Sequence, residues 1–298
     1  MKKILNLAIA FTFATLFVAC NDNDETVATT GSLTVDLTGL EALGSNYVYE
    51  GWLIVDGSPV STGTFTSVSF PQSYTVAISD LQTASRFVLS IEPAGETGAA
   101  ALAPADTKVL AGDFSGNTAS VWVAPVTTDA NNFNDISGKF FLRTPTDEVA
   151  GSGNNGNDAY GIWFGTPGAP PTEGLSLPTL AAGWKYEGWV VVDGVPISTG
   201  TFTSTTDRDD SNGFSGTQSN AGPPVPGEDF FLNAPTGVTF PLDVRGKTAV
   251  ISIEPSPDDS PAPFAIKPLL GVSGQETAPT THALNKNLST LPKGTVTR

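Results

Sequence analysis

Tyr49-Glu50-Gly51-Trp52-Leu53-Ile54-Val55-Asp56-Gly57-Ser58-Pro59-Val60-Ser61-Thr62-Gly63-Thr64-Phe65-Thr66-Ser67 returns, 137 residues later, as Tyr186 to Ser204. Only Leu53, Ile54, Ser58 and Val60 are exchanged, for Val190, Val191, Val195 and Ile197. Side chains alternate across a strand, so Tyr49, Gly51, Leu53 and Val55 share one face and Glu50, Trp52 and Ile54 the other. Apolar groups on both faces predict a central strand covered on both sides. Asp56-Gly57 and Asp193-Gly194, set between two apolar runs, predict a β-hairpin in each copy.

Two further blocks follow in the same order. Val88-Leu89-Ser90-Ile91-Glu92-Pro93 returns as Val250-Ile251-Ser252-Ile253-Glu254-Pro255, at an offset of 162. Phe87, Leu89 and Ile91 face one way and Val88, Ser90 and Glu92 the other, which predicts a half-buried strand ended by Pro93. Pro104-x-x-x-Lys108-x-Leu110-x-Gly112 returns as Pro263-x-x-x-Lys267-x-Leu269-x-Gly271. Three ordered blocks describe a tandem duplication. The wider spacing in the second copy comes from a polar insertion at 207–226, which predicts a solvated surface loop. With 31 Gly and 23 Pro in 298 residues, the expected fold is all-β: two tandem immunoglobulin-like β-sandwich modules with a β-rich connecting segment. The modules are expected at 31–125 and 176–298. The segment 126–175 joins them, with Gly165–Gly174 as the true connector.

The three blocks together resemble the extracytoplasmic C-terminal domain of anti-sigma-K factors, over roughly residues 47–113 and 186–271. The resemblance implies a β-sandwich outside the cytoplasmic membrane. It does not imply direct contact with a sigma factor, because members of that family use an N-terminal cytoplasmic helical domain and a transmembrane helix, neither of which is expected in this sequence.

The first residues carry the signs of export. Lys2 and Lys3 precede an apolar run from Ile4 to Ala19, the layout of a secretory signal peptide at 1–19. Phe17-Val18-Ala19-Cys20 resembles a bacterial lipobox, which makes Cys20 the expected lipidation site and the membrane an expected partner. A di- or triacylated cysteine holds its membrane stably, since each buried methylene contributes about 0.8 kcal/mol. Residues 20–30 form an acidic tether. Asn21-Asp22-Asn23-Asp24-Glu25 reads as a solvated spacer, and it also resembles the surface-export signal of Bacteroidetes lipoproteins. The expected location is the cell envelope, at the outer membrane.

Composition excludes several functions. Fourteen basic residues against 30 acidic give a formal charge of −16, which opposes a phosphate backbone, so no nucleic-acid partner is expected. One Cys and one His exclude a disulfide framework and a multi-histidine metal site. No phosphate loop or nucleophile elbow is present, so no cofactor is expected.

The recurring Glu50/Glu187 and Glu92/Glu254 invite an acid/base reading as in glycoside hydrolysis. Each sits in a strand among apolar residues, so a structural hydrogen bond, or a salt bridge to Lys108 or Lys267, is the competing role. Trp52 and Trp189 are expected in the core, with a sugar platform as the alternative. Trp122, Trp163 and Trp184 are candidate exposed contacts. Asp56, Asp193, Asp207, Asp209 and Asp210 are candidate ligand or partner contacts, since recognition concentrates on loops. The run Asp207–Gly213 departs from the Ca²⁺-loop pattern, with Gly at the seventh position and not the sixth, and no metal site is expected. His282 has no partner visible in the sequence. The expected function is non-enzymatic: binding or structural work toward an envelope protein or glycan. A signalling accessory and a glycan-acting hydrolase using paired Glu are the alternatives.

Overall fold

A computed structural model describes residues 28–129, 132–148, 156–216, 222–258 and 260–298. The signal segment, Cys20 and most of the acidic tether lie outside the described residues. Among the described residues no helix is long and apolar enough to cross a membrane.

The chain is nearly all β. The first half supplies β1 (Thr30–Thr38), β2 (Tyr47–Val55), β3 (Ser58–Phe65), β4 (Gln72–Ala77), the short helix α1 (Ile78–Thr83), β5 (Arg86–Pro93), β6 (Lys108–Ser115) and β7 (Thr118–Trp122). The middle supplies β8 (Ser137–Leu142), β9 (Gly161–Trp163), β10 (Gly165–Thr166), β11 (Thr172–Glu173) and β12 (Leu175–Ser176). The second half supplies β13 (Trp184–Val192), β14 (Val195–Phe202), β15 (Gly227–Asp229), β16 (Thr248–Pro255), β17 (Ile266–Val272), β18 (His282–Lys286) and β19 (Lys293–Thr297).

Two large antiparallel sheets result. The first runs β3-β2-β5-β6-β7-β19-β1-β4 and the second β14-β13-β16-β17-β18-β8-β9-β15, with β12 also on β8. Each rolls over on itself, which gives the two expected β modules. In the first, the edge strands β3 and β4 approach each other, and Phe65 lies 6.0 Å from Tyr74 and 5.9 Å from Phe70. In the second, β14 comes against β15. The inner faces form one continuous core, including Leu33, Tyr49, Phe87, Phe140, Phe164 and Ile251. A fully buried side chain of this size contributes about 1.5–3 kcal/mol.

The predicted hairpins form as β2–β3 and β13–β14, with Tyr49 opposite Phe65 and Tyr186 opposite Phe202. Asp56 and Gly57 have φ of 49° and 80°, and Asp193 and Gly194 of 51° and 86°. Both pairs therefore occupy the left-handed positions of a type I′ turn, which Asp-Gly tolerates. Each hairpin carries a bulge after Gly51 or Gly188. A Cβ on Gly51 would stand 2.4 Å from Thr62 Oγ1, and one on Gly188 would stand 2.4 Å from Thr199 Oγ1 and 2.5 Å from the Phe164 ring. That close approach is why the motif reads Tyr-x-Gly-Trp.

Several expectations are corrected. β5 and β16 are buried on both faces, not half-buried, because the β5–β6 loop and the β16–β17 loop fold over their outer sides. The expected connector at Gly165–Gly174 contains a small hairpin, β10 with β11. The segment 126–175 is part of the second sheet through β8, β9 and β12. The last strand, β19, lies in the first sheet between β1 and β7, so the second module does not extend to residue 298. Backbone hydrogen-bonding demand explains this: without β19, the facing edges of β1 and β7 would lack partners.

The insertion at 207–226 is also not a solvated loop over its described residues. Phe214 packs 5.2 Å from Phe240 and 6.0 Å from Phe230, and Val225 joins Phe141 and Trp163 in a small separate core. Val225 thus covers the outer side of β8 and β9, which would otherwise face water, while Phe214 packs onto the main core.

Candidate functional site

The recurring motif residues converge on one network, built twice. On the outer face of the first sheet, Trp52 Nε1 donates to Ser90 Oγ at 2.8 Å. The Ser90 hydroxyl donates to Glu92 Oε1, which also accepts the Ala105 N–H at 2.9 Å. Lys108 Nζ reaches the Ala105 carbonyl at 2.9 Å. In the second module Trp189 Nε1 donates to Ser252 Oγ at 2.7 Å. Ser252 donates to Glu254, and the Phe264 N–H reaches both Glu254 oxygens at 3.0 Å. Lys267 Nζ reaches the Phe264 carbonyl at 2.7 Å. The Trp, Ser-x-Glu-Pro and Pro-x-x-x-Lys blocks thus staple one loop to the back of each sheet.

Glu50 and Glu187 belong to the same face and accept from Ser61 and Ser198. Burial pushes Glu254 up to about 8 and Glu187 up to about 7, and raises Glu92 as well. Glu92 and Glu254 are 2 % and 1 % exposed. The two lysines meet loop carbonyls, not the glutamates. Among the described residues, oxygens of Glu187, Glu254 and Asp258 lie within 4.8 Å of one another. These are hard donors of the type Ca²⁺ takes, but three side chains fall short of its six to eight ligands.

The stapled loops form the walls of a cleft of about 670 Å³ between the modules. Equivalent positions of both copies line it: Asn46 and Gly183, Pro93 and Pro255, Ala105 and Phe264. Leu43 from the β1–β2 loop and Tyr47 at the start of β2 add apolar surface, and Glu41, Asp106 and Asp258 add carboxylates. Tyr49 positions that loop. Its ring stacks on Phe65 at 5.5 Å and its hydroxyl donates to the Glu41 carbonyl at 2.9 Å. Tyr186 does the same with Phe202 and the Pro178 carbonyl. Burial raises the Glu41 carboxyl, with Lys267 opposing that shift from across the cleft wall. Lys267 is itself lowered by burial.

The sequence-predicted contacts are scattered, and none of them lines this cleft. Asp56 and Asp193 are exposed turn residues, and Asp193 lies 3.5 Å from Lys247. Asp207 is exposed. Asp209 turns inward, accepting the Gly227 N–H at 2.7 Å and the Ser211 N–H at 3.2 Å, and burial pushes it up to about 8. Asp210 pairs with Lys185 at 2.6 Å, which lowers it. Trp122 is 39 % exposed, whereas Trp163 and Trp184 are each only 3 % exposed. Trp163 donates to Asp229 Oδ1 at 2.9 Å, and Trp184 packs 5.9 Å from the Phe264 ring. Trp52 and Trp189 are buried, as expected.

Two acidic residues escaped the sequence reading. Glu228 and Asp229 are fully buried, Asp229 held by the Thr146 N–H at 2.8 Å and Glu228 by the Ser215 hydroxyl at 2.7 Å. Burial raises both, Asp229 to about 7. His282 gains partners too: Nδ1 accepts the Gly274 N–H at 3.1 Å and Nε2 meets the Glu276 carbonyl at 2.8 Å.

The family model described as Anti-sigma-K factor rskA, C-terminal, matches residues 25–109. The matched stretch, which makes up most of the first module, is similar to that domain. The match runs from before β1 into β6, and so includes the first Trp-Ser-Glu network and one wall of the cleft. No curated protein and no solved structure matches the chain.

Proposed function

We propose that this chain is a lipid-anchored, non-enzymatic binding protein of the bacterial cell envelope. Cys20 holds it to the outer membrane, and two anti-sigma-K-like modules bind a basic, partly apolar segment of an envelope protein in the cleft between them. The observation that carries this reading is the cleft itself, about 670 Å³ with carboxylates at Glu41, Asp106 and Asp258 beside apolar walls. A concave site with apolar walls and a few polar groups is the usual form of a binding pocket, and the formal charge of −16 steers cations toward it. The burial of Glu92 and Glu254 behind their own loops supports a structural role over hydrolysis. The match at 25–109 favours one second reading, an accessory in envelope sensing that acts without touching a sigma factor itself.

The test is fluorescence-anisotropy titration of the intact protein with a labelled Lys/Leu decapeptide. Glu41→Lys with Asp106→Lys is expected to weaken binding roughly tenfold or more, because like charges across an interface cost several kcal/mol. Asp207→Lys, outside the cleft, is expected to leave it unchanged. Equal binding by all three proteins would remove the cleft from the reading.

A further inference from the structure

Each half of the sequence ends in the same pair of strands, β7 then β8 and β18 then β19. In space these pairs are divided. β8 lies against β18, and β19 lies against β7. The registers make the two closing positions equivalent. Gly294 stands opposite Leu37 and Val121, while Gly138 stands opposite Leu175 and Leu284. All four partners are buried and belong to the core. Counted on from there, Val296 and Phe140 fall at the same place, both fully buried.

We infer that the two halves have reciprocally exchanged their closing strands, as in a strand-swapped dimer fused into one chain, and that the groove between β1 and β7 is an acceptor site for the C-terminal segment of a second copy. The segment carries its own recognition. Val296 is fully buried and Leu291 is 4 % exposed. A Cβ at Gly294 would stand 2.1 Å from the Asp36 carbonyl oxygen, so only glycine fits there. Arg298 donates to the Leu81 and Ala84 carbonyls at 2.6 Å and to Gly116 at 3.0 Å, and its guanidinium lies 4.4 Å from the Phe114 ring centroid. All of these contacts lie between the last eight residues and the groove, so the same segment from another molecule restores every one of them. Such an exchange of identical elements forms dimers at low energetic cost. It competes with the chain's own strand, whose effective concentration is on the order of 1 mM.

The experiment places a reporter disulfide across the groove of the full chain. Asp36 and Thr295 are directly opposed, and opposed antiparallel residues have Cα atoms about 4.5–5.5 Å apart, within disulfide reach. The chain with Cys20→Ser, Asp36→Cys and Thr295→Cys is unfolded, refolded under reducing conditions at about 1 µM and about 1 mM, then oxidised and run on a non-reducing gel. The dilute sample is expected to give an internally linked monomer. The concentrated one is expected to give at least roughly tenfold more covalent dimer. Co-refolding the two single-cysteine chains at high concentration is expected to give a linked heterodimer, which Gly294→Val in the Thr295→Cys chain removes. Monomer alone at both concentrations, with no cross-link between the single-cysteine chains, would overturn the proposal.

Discussion

Trp189 Nε1 sits 2.7 Å from Ser252 Oγ, and Ser252 in turn donates to Glu254, so one hydroxyl bridges an indole and a carboxyl that are both buried. Ser252→Ala leaves the indole donor unpaired and takes a donor from the carboxyl. An unsatisfied buried polar group costs about 1–3 kcal/mol, and thermal unfolding should show a matching loss of stability. Ser90→Ala should cost a similar amount in the first module. A variant as stable as the parent would remove the bridge from the account.

Stability should fall as pH rises from about 5 to about 8. Glu254 and Asp209 are pushed up to about 8 and Glu187 and Asp229 to about 7, in each case chiefly by burial. An acid whose folded pKa lies above its unfolded value binds more protons when folded, so its stabilisation is complete below about 4 and is lost as pH climbs through the folded value. Asp113, Asp210 and Asp243 are lowered by ion pairs and act below that window. Urea midpoints measured at intervals from pH 5 to 8 should decline, and Glu254→Gln should flatten part of the slope. A rising midpoint would contradict the assignment.

Gly188→Ala should destabilise more than Gly51→Ala. The new methyl meets the Thr199 hydroxyl in one copy and the Thr62 hydroxyl in the other, at the same 2.4 Å. Phe164 stands at 2.5 Å in the second module, against 3.1 Å for Phe87 in the first. Overpacking of this kind costs about 1–3 kcal/mol. Calorimetry on both variants orders them directly.

Asp209→Ala should cost about 1–3 kcal/mol, because the Gly227 and Ser211 N–H groups lose their acceptor. Asp207→Ala, on an exposed residue, should stay within about 0.5 kcal/mol. Chemical denaturation of the pair separates them.

If Cys20 is the anchor, Cys20→Ser should abolish palmitate incorporation and move the chain from the membrane to the soluble fraction. Labelling that survives the substitution would place the attachment elsewhere.

The hairpins were legible because Asp-Gly turns and period-two alternation are local signals, and both duplicated strands appear where the repeats stand. The buried fate of Ser90 and Glu92 was not legible. Alternation assigns them a shared face but says nothing of what covers it, and the cover is the irregular loop that follows the strand and folds back over it. Trp163 and Asp209 misled for the same reason: the insertion's Pro, Asn and Gly content reads as solvated, whereas its few apolar residues fold it back. The placement of β19 was hidden because a repeat in sequence suggests modules that close on themselves, and only cross-strand register reveals otherwise. Glu41 carried no motif, and its role comes from the Tyr49 hydroxyl that holds its loop against the cleft.

The crossing of β8 and β19 also bears on how the molecule breaks. A single proteolytic cut between Leu142 and Asp158 divides the covalent chain, yet each fragment still holds a rung of the other's ladder, β8 locked among the strands of the later piece and β19 among those of the earlier one. The severed pieces stay clasped, and only unfolding of a whole sheet lets them part.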